Sequence, residues 1–170
     1  FKPSAIITLD KPIDDLRAPL SEKKKSYEFS LRSAKMYLVY KKELEESGIS
    51  CPLIFAAVQH YGRNLSCHDY QLYEKTVKEY VSSLIDWEEK IGAYFSGFSV
   101  GSLIPVRDYN LIKVIGRSVV EVLRERGRRK DVVLHALGIS NRRAEILLQE
   151  GFDLFDTNKP MKLARFKLYY

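Results

Sequence analysis

The chain is poor in cysteine: Cys51 and Cys67 are the only two in 170 residues. That count excludes a disulfide-dense secreted scaffold and any four-cysteine zinc site. No stretch approaches the ~20 consecutive apolar residues that span a bilayer. No signal-peptide pattern stands at the N-terminus, so the expected location is intracellular, cytoplasmic or nuclear, with no membrane partner. There is no G-x-x-x-x-G-K-S/T loop, no G-x-G-x-x-G and no G-x-S-x-G, which leaves nucleotide hydrolysis and α/β-hydrolase chemistry without a signature. Internal repeats and low-complexity segments are also lacking.

What is present is globular. Hydrophobic residues make up 45% and charged residues 29%, which argues against disorder along the whole chain. Lys plus Arg is 28 against 22 for Asp plus Glu, a net charge of +6. The length suits one domain with a short appendage. Residues 1–25 read as an extended segment, with one short strand at Ser4–Leu9 and breaks at Pro12 and Pro19. Residues 26–170 read as a single α-helical domain. The expected fold is mostly α, a helical bundle with little β.

Its elements are expected as follows. Ser26 caps a helix over 27–47 that stops at Gly48. Residues 52–61 are apolar around the whole circumference, which predicts a short helix buried on all sides. Tyr70, Tyr73, Val77, Tyr80, Leu84, Trp87, Ile91 and Tyr94 recur at alternating spacings of 3 and 4. They predict one long helix over about 66–95, the centre of the bundle rather than a coiled-coil seam, because Tyr and Trp suit an irregular core. Residues 96–110 form a loop with room for a short strand, and helical pattern resumes over 109–126.

Residues 109–156 make a basic helical unit. Gly127 ends one helix, Asp131 caps the next through Leu137, Gly138 turns the chain, and Ser140 caps a third helix, 141–150. This spacing fits a helix-turn-helix. Its third helix would present Asn141, Arg142 and Arg143 to base edges, while Arg124, Arg126, Arg128, Arg129 and Lys130 would hold phosphates on the same surface. The turn Gly138-Ile139-Ser140, followed by Ala144, Leu147 and Gly151, also resembles a helix-hairpin-helix element, with Ser140 where that element has its second glycine. The leading expectation is a non-enzymatic nucleic-acid-binding domain, for DNA or RNA, with no cofactor and no metal.

Two alternatives stand beside it. Arg63, Asn64 and His68 form R-N-x-x-x-H, which resembles the motif of HEPN-type ribonucleases. The resemblance implies metal-independent RNA cleavage, with His68 as general acid or base and Arg63 stabilising phosphate charge. The other alternative is a helical assembly scaffold that binds protein or a second copy of itself. Metal chemistry is weakly signalled. Cys51, His60, Cys67 and His68 lack ligand spacing, and Asp86, Glu88 and Lys90 fall on different faces of one helix.

Overall fold

A computed structural model describes residues 3–11, 18–60, 69–103 and 106–156. It corrects the fold class. Five strands alternate with four helices: β1 (Ala5–Ile7), α1 (Leu20–Glu46), β2 (Leu53–Val58), α2 (Tyr70–Ile91), β3 (Gly97–Val100), α3 (Tyr109–Glu125), β4 (Val133–Ala136), α4 (Asn141–Glu150) and β5 (Leu154–Phe155). The strands form one parallel sheet in the order β1-β2-β3-β4-β5, each paired with its neighbour in sequence. The sheet curls into a half-barrel. Neither the all-α class nor the helical bundle describes this α/β fold.

The mistaken element explains the mistaken class. Residues 53–58, Leu-Ile-Phe-Ala-Ala-Val, are strand β2 and not a helix. A strand of a parallel sheet is covered on both faces, so it reads as a continuous apolar run. A short run of that kind carries no periodicity to separate it from a buried helix. The second error is β4. Residues 133–136 are a strand, so no helix-turn-helix exists at 131–150. Leu137–Ser140 is a strand-to-helix connection.

Several expectations match the structure. β1 lies within the strand read at Ser4–Leu9, and α3 and α4 fall where their patterns place them. α1 starts earlier, at Leu20, so Ser26 is an interior residue rather than a cap; it is buried and donates its hydroxyl to the Lys11 carbonyl. The aromatic stripe belongs to α2. Its Tyr73, Val77, Tyr80 and Leu84 are fully buried, whereas Trp87 is only partly buried, between the ammonium groups of Lys35 and Lys90.

Sequential strand order with right-handed crossovers places every helix on one face of the sheet. Consecutive helices accordingly pack side by side, α1 on α2, α2 on α3 and α3 on α4. Ile54, Ala56 and Val58 of β2, Phe98 and Val100 of β3, and Leu134 and Ala136 of β4 join the core beneath the helices. Phe55 and Ala57 are buried but outside that core. They point to the concave face, in rows set by the register: Phe55–Gly97–Val133 and Ala57–Ser99–His135. Gly97 is required there. A Cβ at that position would collide with the Phe55 ring and the Val133 carbonyl, so the ring lies across the strand over a bare backbone.

Candidate functional site at the C-terminal edge of the sheet

In parallel sheets of this kind, ligands bind at the carboxyl ends of the strands, where the strand-to-helix connections gather. Here that edge carries Asp10 after β1, Gln59 and His60 after β2, Gly101 and Ser102 after β3, and Asp156 after β5.

Asp10 and Gln59 are joined. The Ser30 hydroxyl of α1 donates to Asp10 Oδ1 at 2.8 Å. The Gln59 side-chain amide donates one hydrogen to Asp10 Oδ1 and the other to Ser30 Oγ, the latter at 3.1 Å. With both amide hydrogens placed, Gln59 Oε1 has no hydrogen-bond partner among the described residues although it is buried. Flipping the amide would set that oxygen against the Asp10 carboxylate, so the arrangement is fixed by charge. Burial pushes the Asp10 carboxyl above its usual range, against the opposing effect of its hydrogen bonds from Ser30 and the Lys11 backbone. Its second oxygen lies over Gly101, just past β3. A Cβ on Gly101 would stand 3.2 Å from Asp10 Oδ2, so a glycine there keeps the space open.

Ser102 carries the backbone strain of the edge, at φ 54, the one positive-φ residue other than glycine among the described residues. A left-handed conformation costs a residue with a side chain ~1 kcal/mol or more. His60 holds it there: its ring Nε2 donates to the Ser102 carbonyl at 3.2 Å. His60 is fully buried, and its burial pulls the imidazole pKa down to about 4, so it is neutral at pH 7. Ser102 Oγ is a second buried atom without a partner among the described residues.

On the concave floor, Ser99 Oγ lies 2.9 Å from His135 Nδ1. The Phe55 and His135 rings meet edge to face at 6.3 Å. Burial lowers the His135 pKa, and the charge of Asp156 opposes that shift. Asp156 is tied to the β4–α4 connection, its side chain accepting from the Gly138 amide and its carbonyl from the Ile139 amide at 3.2 Å.

The residues expected to bind nucleic acid are divided between opposite ends of the sheet. Arg124, Arg126, Arg128, Arg129 and Lys130 precede β4 and lie at the amino end. Asn141, Arg142 and Arg143 follow β4 and lie at the carboxyl end. They therefore do not form one surface. Three of the first group stitch the fold. Arg126 bridges Asp86 at 2.7 Å and Glu89 at 2.8 Å. Arg128 meets Glu88, whose carboxylate is 0% exposed and also accepts from the Phe95 amide at 2.6 Å. Arg129 bonds the Gly151 carbonyl and Asp153. Arg124 and Lys130 are exposed. Of the second group, Arg142 is exposed and stacks on the Tyr109 ring at 4.5 Å, and Arg143 donates to the Val106 carbonyl at 2.9 Å.

Arg63, Asn64, Cys67 and His68 lie outside the described residues. Among the described residues no helix is long and apolar enough to cross a membrane, and no group of three metal-ligating side chains occurs. No family model matches the chain, and no curated protein matches it.

Proposed function

We propose that this chain carries the site of a (β/α) enzyme that works on a small ligand at the carboxyl edge of the half-barrel. The observation that carries the reading is Gln59 Oε1, a buried acceptor left open by an amide whose hydrogens are committed to Asp10 and Ser30. A buried polar atom without a partner costs about 1–3 kcal/mol, so it calls for an explanation. An N–H or O–H on a bound ligand supplies one. A partly buried carboxyl beside it, whose burial favours the protonated form, is a group that can hold or release a proton for such a ligand. Asp10 is accordingly assigned as the acid or base, Gln59 as the group that orients the ligand, and Asp156, just beyond the strand farthest from β1, as the carboxylate on the other side of the mouth. The strained Ser102 adds the kind of backbone conformation that clusters at active sites.

The test pairs stability with binding. Gln59→Leu removes the open acceptor and also frees Asp10 from its amide partner. A functional site predicts unchanged or raised melting temperature together with loss of ligand binding. A large drop in melting temperature, with the same ligands still bound, would return Gln59 to a purely structural role.

A second reading keeps a nucleic acid as the larger partner, now at the carboxyl edge. Lys11, Arg107 and Arg142 are exposed there, and Arg142 is already stacked on an aromatic ring. For duplex DNA, each phosphate contact removed lowers the slope of log affinity against log salt by about 0.9. Arg142→Glu should flatten that slope, while Arg126→Glu at the far end should leave it unchanged.

A further inference from the structure

The proposed site leaves one pair of side chains unused, Ser99 and His135 on the concave floor. Ser99 is fully buried, and His135 Nδ1 is the one partner its hydroxyl has among the described residues. The direction of that hydrogen bond follows. If the ring donated from Nδ1, the Ser99 hydroxyl hydrogen would be buried with no acceptor. If Ser99 donates, the hydrogen is satisfied and the ring proton is forced to Nε2. Nε2 has no partner among the described residues, and the His135 side chain is only partly buried.

We infer that His135 is a ligand-contacting donor, fixed as the Nε2–H tautomer by Ser99, and that the site takes a neutral, flat ligand with an N–H on one side and a carbonyl on the other. The inference rests on the small-ligand reading above and names the chemistry of that ligand. Gln59 Oε1 accepts the ligand's N–H, and His135 Nε2 donates to its carbonyl. The register places β2 and β4 two strand spacings apart, about 9.6 Å, with Gln59 two residues beyond Ala57 in the His135 row. With Gln59 held at the edge by Asp10 and Ser30, that spacing suits a single small ring between its open oxygen and His135. The Phe55 ring beside His135 supplies an apolar surface for its face. The charged groups around His135 are Asp156 beyond β5 and, on the far side of the mouth, Asp10. Ser99 and Phe55 are the neutral groups packed against it.

The tautomer is tested first in the free protein. Long-range 1H–15N correlation spectra should show His135 protonated at Nε2 at pH 7. In Ser99→Ala the neutral ring loses its donor, so both tautomers should appear and the His135 pKa should rise. A wild-type ring protonated at Nδ1, or a pKa that falls in Ser99→Ala, would overturn the assignment. Binding is tested with 2-pyridone, a cyclic amide with one N–H and one carbonyl. Saturable shifts at His135 in the wild type, weakened at least tenfold in both His135→Phe and Gln59→Leu, support the proposal. Binding lost in Gln59→Leu but kept in His135→Phe removes His135 from the site and leaves the site standing. Binding lost in His135→Phe but kept in Gln59→Leu removes Gln59. No saturable binding by the wild type defeats the inferred ligand chemistry.

Discussion

The two ends of the sheet are built from different interactions. At the amino end, helices hand over to strands through ion pairs: Arg126 with Asp86 and Glu89, Arg128 with Glu88, Arg129 with Asp153. At the carboxyl end Asp10, Ser30, Gln59 and His60 are partly or fully buried and joined by hydrogen bonds, and two buried polar atoms, Gln59 Oε1 and Ser102 Oγ, are left without a partner among the described residues. One end spends its charges on holding loops together. The other keeps unsatisfied atoms and a strained residue that stability alone does not explain. Position along the strand therefore separates the residues that fasten the fold from those that can act.

That contrast is sharpest at Glu88. Glu88→Ala leaves the Arg128 guanidinium without its buried partner and the Phe95 amide without an acceptor. Removing one partner of a buried pair costs about 3–5 kcal/mol, which denaturant unfolding should detect. An effect below ~1 kcal/mol would show that the amino end is not fastened this way.

His60 gives the corresponding test at the carboxyl end. Its folded pKa of about 4 lies below the unfolded value near 6.5, so the folded state binds fewer protons between them. The stability contributed by neutral His60 is present above pH 6.5 and is lost as pH falls towards 4. The loss is about 3 kcal/mol at most. His60→Gln should flatten that part of the stability profile. Buried carboxyls with raised pKa values, Asp10 and Glu88, act in the opposite direction over the acid range. The comparison is therefore made between wild type and variant, never from one curve.

Smaller effects should have opposite signs at the two ends. Ser102→Gly relieves a left-handed backbone and should stabilise by ~0.5–1 kcal/mol. Because it also loosens the loop that His60 holds, ligand binding should weaken as stability rises. Arg126→Ala should destabilise by less than ~1 kcal/mol, since both its carboxylate partners are largely exposed, and 0.5 M salt should erase the difference.

Much of the helical layer was legible in the sequence. α2 announces itself by the 3-4 spacing of its aromatic stripe, and α4 by Ser140 ahead of it and Gly151 after it. The sheet was hidden by its own burial. β2 is short, apolar on both faces and free of alternation, so its periodicity is indistinguishable from that of a buried helix, while β4, though its burial alternates, is only four residues long and too short to announce itself as a strand. The site was missed for the same reason. Asp10, Gln59 and Asp156 each stand at or just beyond the end of an apolar run, in Ile-Ile-Thr-Leu-Asp, Phe-Ala-Ala-Val-Gln and Asp-Leu-Phe-Asp. That signal has meaning only once the runs are known to be parallel strands. The arginines drew attention because charge is visible without structure. Their carboxylate partners sit up to 40 positions away in the chain and were not.

The sequential strand order has a consequence for how the chain acquires its structure. Each β-α unit docks on the unit before it and the unit after it, so the molecule behaves in folding as a short linear array. Closure of each crossover requires one helix and the two connections that flank it, and no strand waits for a partner beyond its neighbour in sequence. Structure can begin in the middle, where α2 and α3 pack on β2, β3 and β4, and spread outward by accretion. The terminal strands β1 and β5, each with one neighbour among the described residues, are then last to be added and first to exchange their amide hydrogens. Asp10 and Asp156 follow those two strands closely in the chain. The two carboxylates of the proposed site would thus be assembled at the final stage of folding, and amide exchange at Thr8 and Asp156 would report how often the mouth comes apart.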